Sequence, residues 1–182
     1  MGFKMFQNKH GFSLIEIVVA IAIIGVLAAI AVPNFLSWLP NYRLKTTARD
    51  LYTAIQNAKI TAVKQNACVC ANFTVVAYPG TGGTYNVFND DGAGVGGTAC
   101  NGTKDGTETD ITLATVGAGE TLSFAVFSGA TSQFCFTPSS VVRGSKTGSI
   151  RVRNNNRRFR VTISAAGGVR LERSDNGTNW GY

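Results

Sequence analysis

From Ile17 to Val32 the chain carries no charge, and that run constrains everything that can be built after it. At about 1.5 Å per residue, a helix of this length covers most of a bilayer core of roughly 30 Å. Lys4 and Lys9 precede it, and positive charge keeps that end in the cytoplasm. The remainder of the chain is placed beyond the inner membrane. An ordinary secretory signal would look similar, with Ala29-Ile30-Ala31 as its cleavage site. Glu16 argues against that reading. An acid at the head of an apolar helix costs a few kcal/mol in lipid and is rare without a partner. A secretory signal has no use for one. A helix packed among copies of itself does, provided the chain is cut between Gly11 and Phe12. The new α-amine of Phe12 then offers a positive charge to Glu16 of a neighbouring copy.

Gly11-Phe12-Ser13-Leu14-Ile15-Glu16, followed by the apolar run and Pro33, resembles the type III signal of type IV prepilins and type II secretion pseudopilins. The resemblance implies three segments: a leader (1–11), an apolar helix serving as membrane anchor and filament core (12–40), and a globular domain (41–182). It also implies cleavage after Gly11 by a prepilin peptidase, N-methylation of Phe12, and a role for Glu16 in assembly. The implied partners are other pilins or pseudopilins, the prepilin peptidase and the inner membrane, with the C-terminal domain in the periplasm. Pro33 and Pro40 each remove a backbone donor, so a kink or local melting is expected there, and Pro40 reads as a helix end.

Beyond Asn41, Leu44, Ala48, Leu51, Ile55, Ala58 and Ala62 recur at spacings of four and three, which predicts an amphipathic helix over 41–66. Arg43, Lys45, Arg49, Lys59 and Lys64 lie largely off that stripe, as a solvated face. Glycine-rich turns then separate eight stretches of strand character: 67–77, 84–89, 111–114, 121–127, 133–137, 149–153, 157–164 and 168–173. The predicted fold class is α+β, a long N-terminal helix followed by an antiparallel β-rich domain over 67–182. The order of signals is similar to the GspH, FimT and FimU branch of minor pilins and pseudopilins. Tyr85-Asn86-Val87-Phe88-Asn89-Asp90-Asp91-Gly92, Phe134-Cys135-Phe136-Thr137-Pro138, Gly148-Ser149-Ile150-Arg151-Val152 and Val161-Thr162-Ile163-Ser164 with Gly167 carry that likeness.

Cys68, Cys70, Cys100 and Cys135 all come after the apolar run, on the oxidising side of a membrane, so two disulfides are expected. Cys68 and Cys70 lie two apart in a strand and face the same way. Each, or one of them, is therefore expected to bond Cys100 or Cys135; the alternative is a small buried hydrophobe. No zinc spacing is present, and no metal or cofactor is assigned. The loop 89–110 gathers Asn89, Asp90, Asp91, Asp105, Glu108 and Asp110, which reads as a calcium candidate or a solvated loop.

The formal charge of +7 is local: residues 139–182 hold nine Lys or Arg against two acids. A hairpin turning at Asn154-Asn155-Asn156, whose asparagines tolerate left-handed backbone, puts Ile150, Val152, Phe159, Val161 and Ile163 on one face. Arg151, Arg153, Arg158 and Arg160 are forced onto the other. Like charges across a hairpin cost several tenths of a kcal/mol per pair, so four are kept there more readily when an anion binds between them. Arg143, Lys146, Arg157, Arg170 and Arg173 are candidate extensions. DNA is one candidate anion, an acidic neighbouring pilin another, and plain solvation the third. FimT-type pilins are associated with DNA uptake through Gly-Arg-x-Arg; here Gly167-Gly168-Val169-Arg170-Leu171-Glu172-Arg173 lacks the first arginine. Trp180 and Tyr182 are candidate stacking residues. Without its leader the chain has no histidine, His10 being the only one, and no nucleophile–base pair stands out, so an enzyme is not expected.

Overall fold

The computed structural model describes residues 11–93, 97–117, 119–129, 131–174 and 181. Residues 1–10, with Lys4, Lys9 and His10, lie outside the described residues, as do Trp180 and Tyr182. By backbone contacts the chain divides into two units at the Leu39–Pro40 junction.

The first unit is the apolar part of a single helix, α1 (Leu14–Gln65). Ser13 caps it: its carbonyl accepts the amides of Glu16 at 3.0 Å and Ile17 at 3.3 Å. The side chains of this part are exposed as far as Trp38, Phe12 ahead of it by 79 %. Helical assignment continues through Pro33 and Pro40, so the expected helix end at Pro40 is corrected. Each proline forfeits one ladder bond, and the turns on either side keep theirs.

In the second unit the C-terminal part of α1 buries Leu44, Ala48, Leu51, Ala54, Ile55, Ala58 and Ala62. Eight strands come next: β1 (Cys68–Thr74), β2 (Thr84–Asp90), β3 (Asp110–Thr115), β4 (Thr121–Phe127), β5 (Gln133–Phe136), β6 (Gly148–Arg153), β7 (Arg158–Ile163) and β8 (Val169–Ser174). They form two antiparallel sheets, a division that the strand pattern by itself does not specify. One runs β3-β2-β1-β5, the other β4-β6-β7-β8. Alternation specifies which face of a strand is buried and says nothing of its neighbour. Val69, Ala71 and Phe73 of one sheet and Ile150, Val152, Val161 and Ile163 of the other share one core with the helix.

A second, smaller core lies on the other face of β1. Cys70, Phe88 and Cys135 are buried there, Cys70 bonded to Cys135 and Cys68 to Cys100. The acidic loop is tied over this face. Gly102 N donates to Asp90 Oδ2 at 2.7 Å, and Glu108 accepts the amides of Gly92 at 3.0 Å and Asp105 at 2.7 Å. The reading of 89–110 as a solvated loop holds for Asp91 and Asp110, which are exposed, and is corrected for Asp90 and Glu108, which are buried under backbone donors.

Glu120, only 3 % exposed, is a buried carboxyl whose charge can be tested. Burial pushes its carboxyl above the ordinary range; a hydrogen bond from Thr47 and the Arg43 charge oppose the rise, and Asp50 adds to it. A raised carboxyl holds its proton better folded than unfolded. Its contribution is therefore complete below the unfolded value and is lost as pH rises through the folded one. Glu120→Gln should stabilise the protein near pH 7 by about 1–2 kcal/mol and gain less in acid, read from urea midpoints. Identical midpoints for the two proteins at both pH values would show the charge to be well solvated.

Candidate functional site

Glu16 occupies the first turn of α1, exposed, where the N-terminal end of the helix dipole favours an acid by about 0.3–1 kcal/mol. Gly11 and Phe12 precede the helix and are exposed. Among the described residues α1 is the one helix long and apolar enough to cross a membrane, and its apolar window is wholly unburied. A helix that shows only apolar side chains to its surroundings needs lipid or other helices around it.

The arginine hairpin is the second candidate. Arg151 lies directly opposite Arg160, and Arg153 opposite Arg158. Their turn works differently from the expected left-handed asparagines. Asn154 Oδ1 accepts the amides of Asn156 at 2.9 Å and Arg157 at 2.8 Å, and none of the three asparagines takes positive φ. The side chain does the turning.

On sequence grounds this ladder is kept more readily with an external anion; in the fold an anion stands a strand away. Glu172 of β8 is the partner of Arg160 in register, and its Oε2 accepts from Arg160 Nε at 2.8 Å and Nη2 at 2.5 Å. The Arg153 guanidinium stacks 3.5 Å from the centre of the Tyr78 ring, and that of Arg151 lies 4.3 Å from the centre of Phe124. Tyr78 is tied in turn to the hairpin, its hydroxyl donating to Asn155 Oδ1 at 3.1 Å. Burial first, then the charges of Arg160 and Arg158, push Arg151 below the ordinary arginine value. The repulsion is present, and Glu172, Tyr78 and Phe124 take up three of the four guanidinium groups.

The candidate extensions of the patch separate. Arg170, opposite Thr162, stays with the hairpin arginines. Arg173 is opposite Phe159, and with Arg157 it lines a cavity shared with Lys45 and Arg49 of α1. It therefore leaves the patch: strand parity sends residues 171 and 173 to the helix side. Arg143 and Lys146 line a hollow beside Gln133, Phe134 and Cys135 of β5, away from the hairpin. Glu172, Tyr78 and Phe124 carried no signal in the linear pattern, because their roles depend on pairing between strands.

The acidic loop assembles no carboxylate cluster among the described residues. Asp91 accepts from Asn89 at 2.8 Å, Asp105 from Asn101 at 2.5 Å, and Asp110 from Asn86 at 2.9 Å and Lys104 at 2.7 Å. The one trio of metal-capable side chains among those residues is Cys70, Asp90 and Cys135, and its two sulfurs are bonded to each other.

An apolar helix headed by Gly-Phe and a glutamate, joined to a β-rich head of two antiparallel sheets, defines a subunit of the pilin and pseudopilin class. Residues 47–167 match the family model described as "Type II transport protein GspH", and residues 6–32 match the "Prokaryotic N-terminal methylation motif". The chain belongs to the GspH family and is similar to minor pilins and pseudopilins. The type IV major pilin protein PilA of Myxococcus xanthus is 49 % identical over 50 residues, 26 % of this chain and only 23 % of that protein. The type IV major fimbrial protein FimA of Dichelobacter nodosus is 30 % identical over 115 residues, 60 % of this chain and 71 % of that one. A crystal structure of the type IV minor pilin FimU from Pseudomonas aeruginosa shares the fold, with a TM-score of 0.50 at 18 % identity, covering 78 % of this chain and 94 % of that one. None of these findings points to nucleic acid, and Arg160, Arg153 and Arg151 have partners within the head.

Proposed function

We propose that the protein is a structural subunit, of minor pilin or pseudopilin type, that joins or primes a type IV pilus or type II secretion pseudopilus. The leader (1–11) is removed by a prepilin peptidase between Gly11 and Phe12, and Phe12 is N-methylated. Residues 12–40 anchor the subunit in the inner membrane, with 41–182 in the periplasm, until it is drawn into the filament. There Glu16 neutralises the Phe12 amine of an adjacent subunit. The role needs no catalytic group. The observation that carries this reading is the Gly11-Phe12 and Glu16 spacing at the head of an exposed apolar helix.

Mass spectrometry of protein recovered from membranes tests the first step. It should find an N-methylated Phe12 as the first residue. A terminus near Val32 would mean an ordinary secretory signal, and the filament reading would fall with it.

A further inference from the structure

Among the described residues Arg143 and Lys146 are paired with no acid, and the two line one hollow of the head. It has a volume of about 170 Å³ and is bounded by Asn101 and Gly102 of the acidic loop, by Gln133 and Cys135 of β5, and by Arg143 and Lys146 around the short helical turn Arg143–Ser145. The Arg143 guanidinium has no hydrogen bond, ion pair or ring contact among the described residues. Lys146 Nζ makes one long bond, donating to Thr131 Oγ1 at 3.4 Å. No carboxylate lines the hollow. Two acids back its loop side, and both are turned to neutral donors: Asp90 Oδ2 accepts from Gly102 N at 2.7 Å, and Asp105 Oδ2 from Asn101 Nδ2 at 2.5 Å.

The walls are held in place from behind. Cys100 ties the loop to β1 through its bond with Cys68. β5 pairs with β1 and is bonded to it again through Cys70 and Cys135. Val142, buried just ahead of the helical turn, bridges to Phe136 and donates its amide to the Ala165 carbonyl at 3.0 Å. Gly102 takes a φ of 86°, and a Cβ there would come within 3.1 Å of Gln133 Nε2, so the glycine leaves room for that side-chain amide. A ligand entering such a site has little of the protein left to order, which is where binding energy is usually lost.

We propose that this hollow binds a small oxyanion, a phosphate, sulfate or carboxylate group. The planar fork of Arg143 suits two oxygens of such a group, Lys146 supplies a second positive charge, and the Gln133 amide adds a neutral donor. A metal cation would meet two like charges and no carboxylate in the lining, and a neutral ligand would leave both charges uncompensated. A water needs roughly 10–15 Å³ of such space, so the hollow has room for an oxyanion together with part of its hydration. The site is separate from the arginine hairpin, and it depends on neither the membrane nor the filament reading.

The test uses the full chain, labelled with nitrogen-15 in a neutral, phosphate-free detergent. The Gln133 side-chain amide is followed by NMR during titration with inorganic phosphate, sulfate and acetate. A saturating shift is expected with a Kd of about 1 mM at low salt, as two charge-assisted bonds at a partly exposed site give. Arg143→Gln with Lys146→Gln should weaken binding by about tenfold or more. Arg143 is exposed and Lys146 half-buried, so amide signals elsewhere in the head should keep their positions and report an intact fold. Lys45→Gln with Lys64→Gln removes the same charge from exposed positions of α1 and should leave the Kd unchanged. A shift that grows with protein concentration without added anion, and is lost in the Arg143/Lys146 variant, would also bear out the site and identify its occupant as a carboxylate of a second copy. A saturating shift seen with added anion alone would identify a soluble occupant. No saturating shift up to about 20 mM of any of the three anions and none with protein concentration, or the same shift in the Arg143/Lys146 variant, would overturn the proposal.

Discussion

Replacing Cys70 and Cys135 together by Ser is expected to cost about 4 kcal/mol of folding stability, the largest effect of any change to the head. The bond closes a loop of sequence separation 65, and cross-linking a loop of that length removes about 4 kcal/mol of chain entropy from the unfolded state. Against a total stability of roughly 5–15 kcal/mol, that loss is enough to leave a large unfolded fraction at 37 °C. Packing adds to it, since both cysteines are buried against Phe88 and a serine hydroxyl would take the place of sulfur in an apolar site. The 32-residue bridge from Cys68 to Cys100 would remain. Urea denaturation of the non-reduced variant and parent measures the difference. A loss under about 1 kcal/mol would mean that the register of β1 with β5 survives without the bond and that the entropy argument is wrong for this chain.

Glu16→Ala should leave insertion into membranes intact or improved, because an acid leaves the apolar segment. Filament incorporation should collapse. An amine at Phe12 packed among helices without its counter-charge costs about 3–5 kcal/mol per subunit, at least a hundredfold in the association constant of each contact. Glu16→Gln, which keeps size and hydrogen bonding, should behave like the alanine variant if charge is what matters. The shear fraction, probed by immunoblot against the membrane fraction, separates the two steps. Normal incorporation of either variant would sink the pairing of Glu16 with Phe12. It would leave Glu16 as an acid at a helix N-terminus, worth only the dipole term.

Two kinds of information are encoded differently in this chain. The uncharged run from Ile17 to Val32, the Glu16 that breaks its start, and the Leu44-to-Ala62 stripe are local patterns with their own period. They determined the helix, its exposed and buried parts, and the α+β class without reference to any other segment. The eight strands were legible for the same reason, from Cys68–Thr74 to Val169–Ser174, with ends that moved by a residue or a few. Their division into two sheets was not, because alternation is a property of one strand and pairing a property of two. The arginine ladder makes the difference concrete. Arg151 opposite Arg160 could be read from the hairpin, but Glu172, Tyr78 and Phe124 reach it from outside, through a neighbouring strand, a distant loop and β4. Arg173 parts from Arg170 by strand parity, but only the fold brought its face against Phe159, toward Lys45 and Arg49. Charge and periodicity belong to the sequence; which charges share a face is decided by the chain's return on itself, where the partner of each residue is set by register and by burial of the opposite face.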